Sequence, residues 1–229
     1  MTSFDYSPRE VVRLEKVTKK YAMKSGDVAA VKGLSLSIHQ GEWVSLVGPS
    51  GSGKSTLMHL MGLLDAPSEG SVFFEGEETS QLSDEARSHI RGEKVGFVFQ
   101  SFNLIPQLTV LENVLLAEGY RKGKGSALIA AEEALDQVGI LHRKDHLPSE
   151  LSGGELQRGS IARAIVGSPS ILFADEPTGN LDQETGRSIL RLFDQLSKQG
   201  TTLVIVTHDE AVARLSERRL ALKDGDLVV

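Results

Sequence analysis

The chain has 229 residues, with 25 basic and 31 acidic side chains and a net charge of -6, so we expect no broad positive surface for nucleic acid. It contains no cysteine, which excludes disulfides, cysteine-zinc sites and thiol nucleophiles. The first ten residues lack the basic and apolar regions of a signal peptide, and no apolar run approaches the roughly 20 residues that span a bilayer. We therefore expect a soluble protein that reaches a membrane only through a partner.

Three stretches in the first third of the chain alternate apolar and polar residues, as half-exposed antiparallel strands do. They cover residues 11–21, 31–38 and 70–75, and we expect them to form an antiparallel sheet beside the main core. Tyr21 closes the first of these strands, where its ring either stacks on a purine base or packs on the sheet.

A glycine-rich loop joins a short apolar strand at 44–47 to an apolar helix. The spacing of Gly48, Gly53, Lys54 and Ser55 matches the P-loop pattern, in which backbone N–H groups cradle phosphate oxygens. We expect Lys54 to place a cation between the β- and γ-phosphates and Ser55 to ligate Mg²⁺, while the helix N-terminus attracts the anion. The predicted nucleotide-binding residues of this loop are Gly48, Pro49, Ser50, Gly51, Ser52, Gly53, Lys54, Ser55 and Thr56.

Polar side chains end three later apolar stretches of the chain. Gln100 closes the first, Asp175 and Glu176 the second, and His208 the third. Ligands of open α/β sheets collect at the carboxyl ends of parallel strands, so we expect these strands to lie beside the P-loop strand and their polar ends to converge. One carboxylate can hold a metal through water, and the other can polarise an attacking water.

Helical spacing of Leu, Ala and Val appears at 108–117 and 126–138 and predicts an inserted helical lobe. After it, Leu-Ser-Gly-Gly-Glu at 151–155 opens another helix, with Ser152 as the expected N-cap and a second anion site at the helix N-terminus. We expect one domain over 1–229, with an ATPase core and β subdomain at about 1–100 and 160–229. The helical subdomain occupies about 101–159.

At this point the sequence resembles the ATP-binding subunits of ABC transporters over nearly its whole length. Gly48 to Ser55 looks like the Walker A motif, Gln100 like the Q-loop glutamine, and Leu151 to Glu155 like the signature sequence. Ile171 to Asp175 looks like Walker B. Glu176 then follows as the catalytic glutamate, with a D-loop around Asp182 and a switch histidine at His208.

The resemblance implies an α/β fold: a P-loop NTPase core with a mainly parallel sheet, an antiparallel β subdomain and an inserted α-helical subdomain. It implies ATP and Mg²⁺ as cofactors. The implied catalytic residues are Lys54, Glu176 as general base and His208, which holds the γ-phosphate and the water; the implied metal ligands are Ser55, Gln100 and Asp175. Tyr21 falls where the adenine-stacking aromatic of the family sits.

The resemblance also implies a second copy of the chain as partner, because each ATP lies between the Walker motifs of one subunit and the signature of the other. The residues expected to complete the nucleotide site in this way are Ser152, Gly153, Gly154, Glu155 and Asp182. Glu155 stands where Gln is more frequent in the family. Gly159 is also unusual there, since glycine costs about 1 kcal/mol against alanine in helix propensity.

Several runs, among them Ala-Asp-Glu-Pro-Thr-Gly-Asn-Leu-Asp at 174–182, resemble the group of LolD-like, MacB-like and YbbA-like ATPases. This implies an integral membrane permease as partner and a place on the cytoplasmic, inner face of the membrane. We expect Ser101 to Ala117 to form the groove that receives the permease, with Phe102, Leu104 and Ile105 as exposed contacts or else packed within the helical lobe.

Two other classes of protein share part of this pattern. A small-molecule kinase would share the P-loop but has no use for a signature helix or for an acidic pair followed by a switch histidine. The remaining rival is an ATP-driven regulator or scaffold of a membrane partner in envelope remodelling, without transport. Its ATPase chemistry would be identical, so the sequence leaves this alternative open.

Overall fold

The computed structural model describes residues 9–22, 26–118 and 126–228, so the first residues of the chain lie outside it. The strands found there are β1 (Glu10–Tyr21), β2 (Val28–His39), β3 (Trp43–Val47), β4 (Glu69–Phe74), β5 (Glu77–Glu78), β6 (Val95–Val98), β7 (Ile171–Asp175), β8 (Thr202–Val206), β9 (Arg218–Lys223) and β10 (Asp226–Val228). The helices are α1 (Lys54–Met61), α2 (Asp84–Lys94), α3 (Val110–Glu118), α4 (Ala127–Gln137), α5 (Gly153–Ile165), α6 (Gln183–Lys198) and α7 (Glu210–Ala213).

The larger sheet has the strand order β10-β9-β3-β8-β7-β6. Its strands run parallel except for β10, which pairs antiparallel with β9. Every residue of β8 is buried, as expected for a parallel strand covered on both faces. Only β8, of the three strands expected beside the P-loop strand β3, pairs with it directly; β7 and β6 follow outward. Their carboxyl ends nevertheless share one edge of the sheet.

The smaller sheet is antiparallel, with the order β2-β1-β4-β5. Val12 pairs with Ile38 on one side and with Phe74 on the other, and all three side chains are buried. The sequence alternation therefore predicted these three strands correctly. The two-residue strand β5 was not predicted, because a stretch this short carries no measurable alternation.

The hairpin of β9 and β10 was not predicted from the sequence either. Its turn contains Asp224 and Gly225, whose φ angles are 52° and 88°. Two consecutive positive φ angles are characteristic of a type I′ turn, and Asp-Gly is one of its preferred sequences. That dipeptide was the available signal for the hairpin. Because β9 pairs with β3, the missed strand lies directly beside the P-loop strand.

Helices α3, α4 and α5 pack together as the predicted helical lobe. Buried apolar side chains of all three, including Val114, Leu135 and Ile161, belong to one cluster that continues into the core through Leu172 and Phe193. The predicted boundary at residue 159 therefore falls inside α5, which contributes to both parts. The division into two subdomains stays a prediction.

Gly159 and Gly96 provide a matched pair of glycine substitutions. An added Cβ at Gly159 would lie 3.4 Å from Leu104 Cδ1, whereas one at Gly96 would lie 2.4 Å from the carbonyl oxygen of Ala164. We expect Gly159→Ala to raise the free energy of unfolding by about 0.5–1 kcal/mol, because alanine is the better helix former and fits the space.

Gly96→Ala should lower the free energy of unfolding by about 1–3 kcal/mol, because the backbone of α5 must move. Urea unfolding of both variants and the wild type measures the two effects. A destabilised Gly159→Ala protein would show that the glycine is needed for packing against Leu104.

Candidate nucleotide site

The glycine loop at 48–53 is enclosed by backbone on both sides. Gly53 has a φ of 101°, and an added Cβ there would lie 2.2 Å from the carbonyl oxygen of Ala30 on β2. At Gly48 an added Cβ would lie 2.1 Å from the carbonyl oxygen of Leu222 on β9. Only glycine fits such close backbone approaches. Helix α1 begins directly after the loop at Lys54, without a side-chain cap, so its first N–H groups remain available to an anion.

Two polar side chains at the start of α1 contact the loop and the strand end opposite. Lys54 Nζ donates hydrogen bonds to the carbonyl oxygens of Gly48 at 2.8 Å and Pro49 at 2.9 Å. Ser55 Oγ donates to Asp175 Oδ2 at 3.3 Å. Burial raises the pKa of Asp175, with Glu176 adding to the effect, although the Ser55 hydrogen bond opposes it. A hydroxyl and a carboxylate thus face each other across the base of the loop.

The predicted polar strand ends do converge on this loop. A cavity of about 740 Å³ is lined by the whole loop and by the ends of β6, β7 and β8. Its lining residues are Ala30, Gly48, Pro49, Ser50, Gly51, Ser52, Gly53, Lys54, Ser55, Thr56, Gln100, Asp175, Glu176, Val206 and His208. The structure therefore brings the P-loop residues, Gln100, both carboxylates and the histidine into one site.

Glu176 and His208 form a direct pair at the edge of this cavity. Glu176 Oε1 lies 2.6 Å from Nδ1 of His208 and accepts a hydrogen bond from the His208 backbone N–H at 3.1 Å. Glu176 adopts a φ of 46°, a strained conformation for a residue with a side chain that occurs at functional sites. The Glu176 side chain is 18% exposed and that of His208 is 77% exposed. The histidine is thus the more accessible member of the pair.

Asn180 was not among the predicted site residues, yet it connects two of the predicted motifs. Its Nδ2 donates to the backbone carbonyl of Gln100 at 2.9 Å, and its Oδ1 accepts from Gln100 Nε2 at 3.2 Å. Gln157 is another missed residue: it is buried, and its Nε2 donates to the carbonyl of Pro177 at 2.8 Å. Both are single amides in polar stretches, and the sequence carries no periodic signal that would distinguish them.

The signature residues lie apart from the phosphate cavity, along a second cavity of about 390 Å³. Its lining residues are Ser152, Gly153, Gly154, Glu155, Arg158, Asn180, Leu181, Asp182 and Thr185. Within one chain, therefore, the structure does not bring the signature motif to the P-loop. The two groups of predicted site residues form two separate surfaces.

Ser152 caps α5 as predicted and forms a capping box with Glu155. Glu155 Oε2 accepts hydrogen bonds from the Ser152 hydroxyl at 2.7 Å and from its backbone N–H at 2.9 Å. Arg143 Nε donates to Glu155 Oε1 at 2.9 Å. The hydrogen bonds from Ser152, followed by those from Arg143, lower the pKa of Glu155 to about 2. Asp182 caps α6 through two backbone N–H groups.

Tyr21 lies at the end of β1, is 37% exposed and is not among the residues that line the phosphate cavity. Its strand partner is Val28, two residues from Ala30, which does line that cavity. At about 3.3 Å per residue along a strand, Val28 and Ala30 are roughly 7 Å apart on β2. The role of Tyr21 in stacking stays a prediction.

A third cavity, of about 580 Å³, lies between α2, β6 and the helical lobe. Of the predicted permease segment, Asn103 and Ala117 line it. Of the two possibilities left open for Phe102, Leu104 and Ile105, exposed contact or packing within the helical lobe, the structure shows the first two half-buried. Leu104 packs toward α5 near Gly159, whereas Ile105 is 36% exposed. No helix of the described ranges is both long and apolar enough to cross a membrane.

The ABC transporter family model matches residues 31–179, from within β2 to the turn before Asp182. The chain belongs to the ABC transporter family. The lipoprotein-releasing system ATP-binding protein LolD of Myxococcus xanthus is 46% identical over 219 residues, covering 95% of this chain and 98% of that relative. The macrolide export ATP-binding/permease protein MacB of Bdellovibrio bacteriovorus is 43% identical over 215 residues. This chain spans 33% of the length of that MacB relative.

The fold of this ABC ATPase is similar to that of the cassette MJ0796, solved as a dimer, with a TM-score of 0.88 and 45% identity over 95% of this chain and 97% of that one. A second structure of that cassette, described as a post-hydrolysis state bound to ADP and Pi, matches equally well. These comparisons confirm the predicted family and fold class. This chain therefore has the ATPase cassette of the ABC transporter family.

The depressed pKa of Glu155 predicts a pH-dependent contribution to stability. The ordinary pKa is 4.5, and the folded value is about 2, so the unfolded chain takes up a proton first as the pH falls. The stability from this carboxylate is therefore complete above about pH 4.5 and is lost toward pH 2. In the wild type, the urea concentration at the unfolding midpoint should fall between about pH 5 and pH 3. We expect Glu155→Gln to make this fall smaller.

The matched control is Glu133→Gln on α4, since Glu133 is exposed and has no hydrogen bond or ion pair within the described ranges. It should leave the pH dependence as in the wild type. An identical pH profile for the wild type and Glu155→Gln would contradict the assigned cap.

Proposed function

We propose that this chain dimerises around two Mg-ATP and drives an integral membrane permease from the cytoplasmic face of the membrane. The observation that carries the proposal is the separation of the two polar surfaces. One surface, at the P-loop, has a cation, loop N–H groups and acidic strand ends. The other has a glycine-bordered helix N-terminus and no P-loop residue in its lining. When two copies pair in opposite orientation, the P-loop surface of each copy faces the signature surface of the other, and the two together form a complete site.

At the P-loop surface we assign the phosphates to the N–H groups of 48–53 and to Lys54. Glu176 is the general base, and its hydrogen bonds from His208 orient the carboxylate. His208 is largely exposed, so it can reach a γ-phosphate and the attacking water. A general base of this kind increases the reaction rate about 10²–10⁴-fold. Tyr21 stacks on the base in this assignment.

The donor set fits Mg²⁺, which prefers oxygen ligands. Ser55 Oγ and Asp175 Oδ2 are 3.3 Å apart, and Gln100 lines the same cavity, so hydroxyl, carboxylate and amide oxygens are available together. We assign the ion to Ser55, Gln100 and Asp175. A bound Mg²⁺ would offset the negative charge of the phosphates. The three side chains would hold the ion in the cavity.

At the second surface we assign Ser152, Gly153, Gly154, Glu155 and Asp182 to the nucleotide held by the partner copy. The N-terminus of α5 is a favourable position for a phosphate because its first N–H groups and the helix dipole attract an anion. Arg143 supports this, since its ion pair with Glu155 balances the negative charge nearest that N-terminus. The dimeric MJ0796 cassette is the structural precedent.

We assign the permease contact to Ser101 to Ala117 and the 580 Å³ cavity beside it. Apolar surface from Leu64, Phe97 and Phe99 lines that cavity together with Arg91 and Arg163. A cavity lined by apolar side chains together with two arginines suits an amphipathic helix from a partner. The names of the relatives support a membrane partner, since one is part of a lipoprotein-releasing system and another is a combined ATP-binding and permease protein.

Size-exclusion chromatography of Glu176→Gln with and without Mg-ATP tests the dimer. The variant should bind ATP, and its turnover should fall about 10²–10⁴-fold. It should elute as a dimer only with Mg-ATP, because the closed dimer cannot reopen without hydrolysis. Lys54→Ala is the matched control, since it should weaken ATP binding and remain a monomer. Retained turnover in Glu176→Gln would overturn the assignment of the general base.

Capture of a membrane protein from detergent-solubilised membranes of the source organism, on tagged chain, tests the permease contact. Ile105→Glu should lower the yield of a captured permease at least about tenfold, because it places a charge in an apolar contact. Ile129→Glu is the control, because Ile129 is exposed by 56% on α4 and away from the cavity lining. Equal capture by both variants would place the permease elsewhere.

A further inference from the structure

Three side chains beside the phosphate loop form a closed network. Asp65, which follows α1, accepts hydrogen bonds from Lys19 Nζ on Oδ1 at 2.6 Å and from the Tyr21 hydroxyl on Oδ2 at 3.0 Å. Its own loop adds the backbone N–H of Ala66 at 2.7 Å. Lys19 also donates to the carbonyl of Ala66 at 2.8 Å. Each polar group of the network is thereby tied to the segment that ends the P-loop helix.

The network holds the aromatic ring from two directions. Its hydroxyl is fixed by Asp65, and the Lys19 ammonium lies over the ring, 5.2 Å from its centre, within the range of a cation–π contact. Lys19 itself is only 14% exposed on its side chain, so it cannot swing freely. Tyr21 as a whole residue remains 37% exposed. It is therefore a held aromatic surface with part of its area open to a ligand.

Electrostatics keeps the network in this form at neutral pH. Burial by itself would raise the pKa of Asp65, but the hydrogen bonds from Lys19, Ala66 and Tyr21 lower it below its usual value. The carboxylate is thus ionised and accepts from the ammonium and the phenol at once. Charge-assisted hydrogen bonds of this type are stronger than neutral ones.

We infer that Asp65 and Lys19 are positioning residues for nucleotide binding, which hold the Tyr21 ring as a fixed platform for the base. The inference rests on the proposed stacking role of Tyr21. A ring held in place before binding loses less conformational freedom on binding, so the stacking energy is retained in the affinity. Because every base has a π-face, the platform does not separate ATP from GTP.

Binding of ATP, GTP and tripolyphosphate by calorimetry, each with Mg²⁺, separates base from phosphate contacts. Stacking on an aromatic ring contributes roughly five- to hundredfold in affinity, so Tyr21→Ala should weaken ATP and GTP by that amount. Asp65→Asn and Lys19→Met should weaken both about three- to tenfold, because the ring stays but is no longer held. Tripolyphosphate should bind all of these variants as it binds the wild type.

A double variant shows whether Asp65 acts through the ring. Tyr21→Ala with Asp65→Asn should bind ATP no more weakly than Tyr21→Ala alone, since the platform is already gone. Lys20→Met is the matched control on the same strand, because Lys20 pairs with Glu69 at 2.5 Å and not with Asp65. It should bind every ligand like the wild type.

The outcomes separate the inference from the proposed function. Selective weakening of ATP by Tyr21→Ala, with normal binding by Asp65→Asn and Lys19→Met, would overturn the positioning role alone. Equal weakening of tripolyphosphate and ATP by Asp65→Asn would show that Asp65 supports the phosphate loop instead. Undiminished binding of both ligands by Lys54→Ala would refute the proposed phosphate site itself.

Discussion

The nucleotide site depends on a loop whose backbone must face a phosphate while being packed tightly from behind. Carbonyl oxygens of Ala30 and Leu222, one from each sheet, approach Gly53 and Gly48 too closely for any Cβ. The C-terminal hairpin adds a hydrogen bond from Gly225 N–H to the carbonyl of Ser52 at 3.0 Å. Because the loop is held from both sides, its N–H groups can stay directed at an anion without reorganising on binding.

The parallel sheet supplies the chemistry that this loop lacks. It carries the ends of β6, β7 and β8 to one edge, so that single polar residues far apart in the chain become neighbours. Direct contacts then hold them in place: Glu176 against His208, and Gln100 against Asn180. The second pair connects the end of β6 to the turn before Asp182. The geometry of this edge of the cavity is thus set by contacts between residues far apart in the chain rather than by any one motif.

Helix α5 connects the three surfaces of the molecule. Its N-terminus forms the signature surface, Gln157 in its first half hydrogen-bonds to the carbonyl of Pro177 behind the acidic strand end, and Arg163 near its end donates to the carbonyls of Phe102 and Asn103. Both of these Q-loop residues have positive φ angles. A strained turn held by one half-buried guanidinium lies beside the groove assigned to the permease. A shift of α5 would therefore reach the nucleotide surfaces and the groove together.

The sequence by itself determined the family, the fold class and the residues that meet at the phosphate cavity, because those features depend on local patterns: a glycine spacing, apolar runs, and polar residues at strand ends. Only the tertiary structure decided which other residues hold these site residues in place. Three of these contacts join single side chains to partners 20 to 80 residues away in the chain: Asn180 with Gln100, Gln157 with Pro177, and Asp65 with Tyr21. No sequence periodicity marks such pairs. The same reason explains why Leu104 is half-buried while its neighbour Ile105 is exposed, since Leu104 packs beside Gly159 in a helix that begins far along the chain.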